Sequence, residues 1–506
     1  MSMYRNIIYF LTKPMPNRLK QRSQKIENKR KATSRRDFLL EIASWMPMNL
    51  SRKDNIITPY YQIPSRIWSI IHPLEFEKYR ANMPYILRKW SIFDTMTSWL
   101  WSLSIAGNKI LWTNENTEYT YITMWSKNIY LSLVSVESEN IVYSYSCFSS
   151  KEVYGSILIE NSSLIYQSRC INNSFKIFFC SNIQDSNNIR FSSNLTWCSF
   201  CFNCFGLKNK SYCIDNRFVG KDIYEKKLNS LKSNIIDKYK ENLMREWMNI
   251  GENITWSFNK NCFDVENGLM NFNLSCSRNV VFANATTSMQ NVLDSASLGW
   301  PNTHDIYACM GVWYWCSYVY CSVECSPYCQ SIFYSYLLDS CSFCLWCIWL
   351  KNKSYCIFNK QYTKDERYDE VDKIFTHMEK DWQLWEFFHW SMNPFYFNDT
   401  AAYLIDPSFT KEEVTAKWYL WRDEPIKVDI PDWMETVQVD ELWQFEWFDS
   451  DWIWTIDPDI LKKIIIDTDG NSYRIIKMEY DFLVKHGLPL PRKHWLERMK
   501  DNFKIG

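Results

Sequence analysis

From residue 156 the chain reads Ser156-Ile157-Leu158-Ile159-Glu160-Asn161-Ser162-Ser163-Leu164-Ile165-Tyr166-Gln167-Ser168-Arg169-Cys170-Ile171-Asn172-Asn173-Ser174. Serine returns every six residues, and isoleucine returns midway between the serines. Extended both ways, the six-residue step meets only Ser or Cys, from Ser126 and Ser132 to Cys180, Cys198 and Cys204. Offset by three, eleven of the fourteen positions from Ile129 to Leu207 are Ile, Val or Leu. A short fixed period with two kinds of inward residue means stacked coils, because one coil cannot bury its own apolar face. A twelve-residue echo in Asn128-Ile129-Tyr130, Asn140-Ile141-Val142 and Glu152-Val153-Tyr154 gives two hexads per coil. The expected solenoid has about seven coils and is about 35 Å long at the usual strand spacing of about 4.8 Å.

This stack ends at Gly206-Leu207-Lys208-Asn209-Lys210-Ser211-Tyr212-Cys213-Ile214, and an amphipathic helix is expected from Ile223 to Ile250. The pattern then restarts. Ser277, Ala283, Met289 and Ser295 share one phase, Thr303, Cys309, Trp315 and Cys321 a second, and Cys329, Ser335, Cys341 and Cys347 a third, with two-residue slips between them. A second terminator, Leu350-Lys351-Asn352-Lys353-Ser354-Tyr355-Cys356-Ile357, nearly copies the first. Its following helix opens with the capping box Thr363-x-x-Glu366 and is expected to bury Tyr368, Val371, Phe375 and Met378.

The resulting fold class is mainly β with α caps. It has two parallel β-solenoid blocks of six- and twelve-residue repeats, each followed by an amphipathic helix, and a small α+β C-terminal unit. The expected divisions are a basic helical or irregular region 1–115, block one 116–216, a helical spacer 217–252, block two 253–362, a helical cap 363–390 and a tail 391–506. In the tail, Thr410-x-x-Glu413 and Asp457-Pro458 start helices, Asp469-Gly470 marks a hairpin, and Gly487 ends a helix.

Lys+Arg and Asp+Glu both number 57, so net charge implies no polyanionic partner. The charge is locally uneven. Residues 1–36 carry eleven Lys or Arg against Glu27, and 423–460 carries twelve acids against Lys427. The basic arm has no interleaved aromatics to stack bases, so nucleic acid is a secondary expectation for it. No apolar run is long enough for a spanning helix. A cytoplasmic location is expected, with the cysteines reduced.

Gly is 11 and Trp 26, where about 7% Gly would be usual. The two departures compensate. Aligning the terminators lays Trp349 over Gly206, and Trp315 falls in a slot held, apart from Met289, by small residues. Both observations suggest UGA codons translated here as Trp but read as Gly by the organism.

The sharpest chemical pattern is Cys198-x-x-Cys201-x-x-Cys204-x8-Cys213 and its copy Cys341-x-x-Cys344-x-x-Cys347-x8-Cys356. Four thiolates at repeated spacing can close a structural zinc site. The coil period generates the same spacing, however, with Cys as a small buried hydrophobe. The expected cofactor is therefore none, or structural zinc on these eight cysteines. The x8 gap departs from ferredoxin spacing, and there is no phosphate loop or nucleophile elbow.

The terminators, the stretch Asn359-Lys360-Gln361-Tyr362-Thr363-Lys364, Phe387-Phe388, Ser391-Met392-Asn393-Pro394-Phe395, Asn398-Asp399-Thr400, Arg474-Ile475-Ile476 and Leu488-Pro489-Leu490-Pro491-Arg492 resemble a group of Cys-rich proteins of uncultivated candidate-phylum bacteria, described as zinc-binding. The resemblance covers about residues 115–506. In that group Gly stands at the positions of Trp349, Trp385 and Trp418. The group also has zinc-ribbon-like Cys pairs near both ends, whereas 1–146 and 357–506 here hold no Cys. The resemblance implies no activity.

The expectation is a non-enzymatic scaffold or interaction protein with a protein partner. One alternative is a transferase resembling hexapeptide-repeat acyltransferases, whose aliphatic and small residues stand four apart rather than three. A second is a solenoid face that binds nucleic acid or a surface with help from residues 1–36.

Overall fold

The computed structural model describes residues 39–41, 43–48, 51–53, 56–58, 68–86, 91–106, 109–111, 113–117, 119–229, 293–295, 307–309, 316–325, 327–381, 383–384, 386–423, 433–450 and 454–503. The basic arm, Trp313, Trp315, Trp382, Trp385, His304 and the expected helix beyond Asn229 lie outside them. The protein is mainly β, with two stacks of parallel coils, helices and small sheets. It divides into two compact units, each discontinuous in sequence: 1–48, 62–107 and 255–422 form one, and 49–61, 108–254 and 423–506 the other.

The first stack belongs to the second of these units. Seven successive twelve-residue steps lead from Lys127 to Ser211 through parallel pairs. The opposite face repeats the same step from Ser135 through Cys147, Ile159, Ile171 and Ile183 to Leu195. From Glu139 to Ile214 each strand has four residues, and its second residue, like the turn residue after it, has positive φ: Asn140, Tyr143, Ser146, Ser149 and Glu152 lie between 45° and 60°. A left-handed residue at every third position resets the strand's usual alternation of faces. This explains why inward residues recur every three residues rather than every two. Asn tolerates that conformation best among non-glycine residues and fills it at Asn161, Asn173, Asn182, Asn188 and Asn194.

In the six-residue column, buried Ser costs little because its hydroxyl both donates and accepts. Ser138 Oγ donates to Val136 O at 2.8 Å and accepts from Ser150 N at 3.2 Å, one coil on. The same pair of bonds recurs at Ser144, Ser150, Ser156, Ser162 and Ser168. Between the Ser columns, Ile141, Val153, Ile165, Ile177 and Ile189 are wholly buried.

The final segment of the chain packs on this stack. The Lys477–His486 helix sets Phe482 against Tyr154 and Tyr166 at 4.4 and 5.9 Å. The Trp495–Phe503 helix stacks Trp495 on Tyr143 at 5.8 Å and places Arg498 Nη1 2.6 Å from Glu479 Oε1, both side chains buried. Asp457, the Asp467–Gly470 turn and left-handed Gly487 end or start elements as the sequence predicts.

The second stack lies in the other unit, and its coils shorten along the chain. Ser295 pairs with Cys309, fourteen residues on; Val319 with Ile332, thirteen on; and Ile332 with Cys344, twelve on. The expected slip before Cys329 is thus one residue, not two. Cys316 and Ser322 fill the inward slots, as their bonds to Cys329 N and Ser335 N show, and Cys321 falls instead on a left-handed turn. The step changes between Val323, which pairs thirteen residues on with Tyr336, and Gln330, which pairs twelve on with Ser342; Pro327 O, between them, accepts from Ser340 N.

The following helix, Lys364–Lys380, forms the complete capping box and buries Tyr368, Val371, Ile374 and Met378, leaving Phe375 half-buried. The Thr410 cap accepts from Glu413 N. N-terminal residues close the unit: Trp45 packs on Tyr336, Phe387 and Phe388.

Candidate functional site

The two terminators are superimposable in their bonding. Phe200 stacks on Tyr212 at 4.8 Å, as Phe343 does on Tyr355 at 5.0 Å. Ser199 and Ser211 hydroxyls meet at 2.7 Å, as do those of Ser342 and Ser354. Asn216 clasps both backbone groups of Phe205, and Asn359 those of Ile348. In each copy the next helix covers the stacked rings with one side chain, Tyr224 edge-on in the first and Arg367 by cation–π contact in the second.

Against this frame lie the eight candidate ligands. Cys198, Cys201 and Cys204 are inward residues of one coil, and Cys213 is the register partner of Cys201 in the next. The same step sets Cys356 over Cys344, beside Cys341 and Cys347. All eight are buried and free of disulfides. All eight thiols reach back to the carbonyl two residues earlier, for example Cys198 to Thr196 O at 3.4 Å and Cys341 to Asp339 O at 3.2 Å.

One thiol is the hub of each set. Interaction with Cys198 and Cys204, then burial, pushes the Cys201 thiol far up, and Cys201 in turn draws Cys198 and Cys204 down. Cys344 is pushed up in the same way by Cys341, Cys347 and Cys356, and both Cys341 and Cys356 are drawn down by it. The structure therefore brings together each of the two predicted sets. The centre of each set is itself a thiol, and among the described residues no group of three or more His, Cys, Asp or Glu is laid out to hold a metal ion.

Other groups at the second terminator gave no periodic signal. Arg80 donates from Nε to Trp349 O at 2.6 Å and from Nη2 to Leu350 O at 2.7 Å, capping the terminator carbonyls. Buried Asp339 lies 3.9 Å from Arg80 and 3.7 Å from Lys351. Arg80 is about 270 residues from the carbonyls it caps, so neither period nor motif could have announced it.

No helix among the described residues is long and apolar enough to cross a membrane. No protein-family model, curated protein or solved structure matches the chain.

Proposed function

We propose that the chain is a non-enzymatic scaffold whose inward slots, thiols included, hold the coils together and whose outward rows engage a protein partner. The observation that carries this reading is the commitment of the inward columns. Ser hydroxyls bond from coil to coil, and Ile, Val, Leu and Cys fill the columns between them. Outward side chains stand one above another at the coil spacing, as Lys151 stands on Glu139 and Lys127 on Glu115. Among the described residues sixteen cysteines are free and buried, which supports a reducing, cytoplasmic setting.

The test is proximity labelling in the native host with a folded variant carrying Lys127→Glu and Lys151→Glu. Loss of neighbours that the wild type keeps supports the scaffold. Unchanged neighbours, together with acyl-thioester turnover by the purified protein, would favour the hexapeptide-type transferase instead.

A second reading, structural zinc at the coil ends, is favoured by the gathering of three thiols around a fourth in both copies. It keeps the chain beside the Cys-rich group that its terminators resemble. Zinc would draw its folding energy from thiolate ligation, so chelation would lower the melting temperature.

Glycine recoding has its own support. Trp418 adopts φ 63° just after the Lys411–Ala416 helix, the position where Gly is favoured, and Trp349 repeats the left-handed φ of Gly206. The indole nitrogens of Trp346 and Trp349 are buried with no hydrogen-bond partner among the described residues. The gene tests this directly: UGG at codons 349 and 418 would end it, and UGA would support it.

A further inference from the structure

Along one outward edge of the first stack run Tyr154, Tyr166, Phe178, Arg190 and Phe202, successive register partners. Arg190 breaks an otherwise aromatic row. Its guanidinium carbon lies 5.1 Å from the centre of the Phe178 ring, and the His486 ring, at the end of the Lys477–His486 helix, lies 5.5 Å from the same centre. Lys176 stands two residues before Phe178 on its strand, and Lys485 precedes His486. Phe178 is thus flanked by basic side chains, Arg190 from the coil and His486 from the helix.

The ordinary explanation for cations in a last helical turn is the helix dipole. It accounts for Lys485 and His486. It does not account for Arg190 and Lys176, which come from coil strands. Among the described residues, neither the Arg190 guanidinium nor the Lys176 ammonium has an acidic or hydrogen-bonding partner. Lys485 has an acid nearby, Glu152 at 3.8 Å. His486 Nε2 is buried with no hydrogen-bond partner among the described residues. The groups also work against one another. Burial first, then Lys176, Lys485 and Arg190, hold His486 down to about 4, and burial with Arg190 lowers Lys176. Like charges gathered in a partly desolvated place repel strongly, and an anion among them relieves the repulsion.

We propose that Arg190, Lys176 and His486 form a binding site for a phosphate-type oxyanion. Arg190 supplies a planar fork of N–H donors, Lys176 a point charge and His486 its Nε2–H. Phe178 and Phe482 form the apolar floor beneath. The site adds a ligand to the scaffold and does not depend on how the thiols are used.

The probe is inorganic phosphate, titrated into the full-length protein and followed by calorimetry and by the NMR titration of the His486 ring. Phosphate binding that raises the His486 titration midpoint is expected. Arg190→Met, which keeps the stem on Phe178, weakens binding by about tenfold or more, and Lys176→Gln also weakens it. Lys462→Ala, at an exposed pair with Asp459, leaves binding unchanged. If Arg190→Met fails to fold, Lys176→Gln decides the matter alone. A His486 titration indifferent to phosphate overturns the proposal, as does equal affinity in the wild type and the folded site variants.

Discussion

Trp349 repeats the backbone conformation of Gly206, its counterpart in the first terminator: φ is 62° in one and 66° in the other, and each amide donates to a carbonyl thirteen residues back. A side chain larger than hydrogen costs about 1–2 kcal/mol in that region. At Trp349 the penalty is mixed with burial, since Phe76 lies 4.1 Å from its ring. Trp418 is the cleaner test because it is largely exposed and ends a helix. Trp418→Gly should raise stability by about 1 kcal/mol in denaturant unfolding. Trp45→Gly, at a fully buried ring with three aromatic neighbours, should cost about 3–5 kcal/mol.

The two inward columns give the cysteines different tolerances. Cys180 stands in the Ser column and donates to Phe178 O at 3.1 Å. Cys180→Ser should therefore change stability by less than about 1 kcal/mol. Cys201 stands in the aliphatic column above Ile189. Cys201→Ser places a hydroxyl among apolar groups and should cost about 1–3 kcal/mol. Equal losses in the two variants would contradict the column assignment.

Glu479 and Arg498 form a buried pair with spare polar atoms: Glu479 Oε2 and Arg498 Nε and Nη2 have no hydrogen-bond partner among the described residues. Glu479→Leu alone leaves a buried cation and should cost about 3–5 kcal/mol. Glu479→Leu with Arg498→Met should recover most of that loss, because two desolvated charges are removed together. A double-mutant cycle measures the difference.

The pH dependence at His486 has a definite sign. Its folded value of about 4 lies below the ordinary 6.5, so the unfolded chain takes up a proton that the fold resists. Stability contributed by neutral His486 should be complete above pH 6.5, fall as pH drops toward 4, and be fully lost below that. His486→Phe should flatten this part of the curve in urea unfolding between those two pH values.

The coil period was legible because each inward slot repeats one steric demand, and Ser156, Ser162 and Ser168 meet it in the same way with the same bonds. The terminators were legible as copies because Asn209, Lys210, Tyr212 and Cys213 return with their spacing. The left-handed residue at every third position was hidden, since Leu158, Lys176 and Phe179 hold it as well as Asn. In the second stack, the residue inserted near Pro327 moved the phase by one and displaced Cys321 from the slot expected for it. Arg80 on the Trp349 and Leu350 carbonyls and Phe482 on Tyr154 were out of reach, because a single residue from a distant segment makes each contact. The thiol sets were legible in membership, but their hub arrangement depends on register that only the folded coils provide.

Metal analysis of the purified, folded protein, with melting curves taken with and without a strong chelator, tests the account most directly. If the eight terminal thiols are packing residues of the coils, zinc is far below one per chain and the melting temperature is the same in both curves. Stoichiometric zinc at one or both terminators, with a melting temperature that falls when the metal is removed, would contradict it.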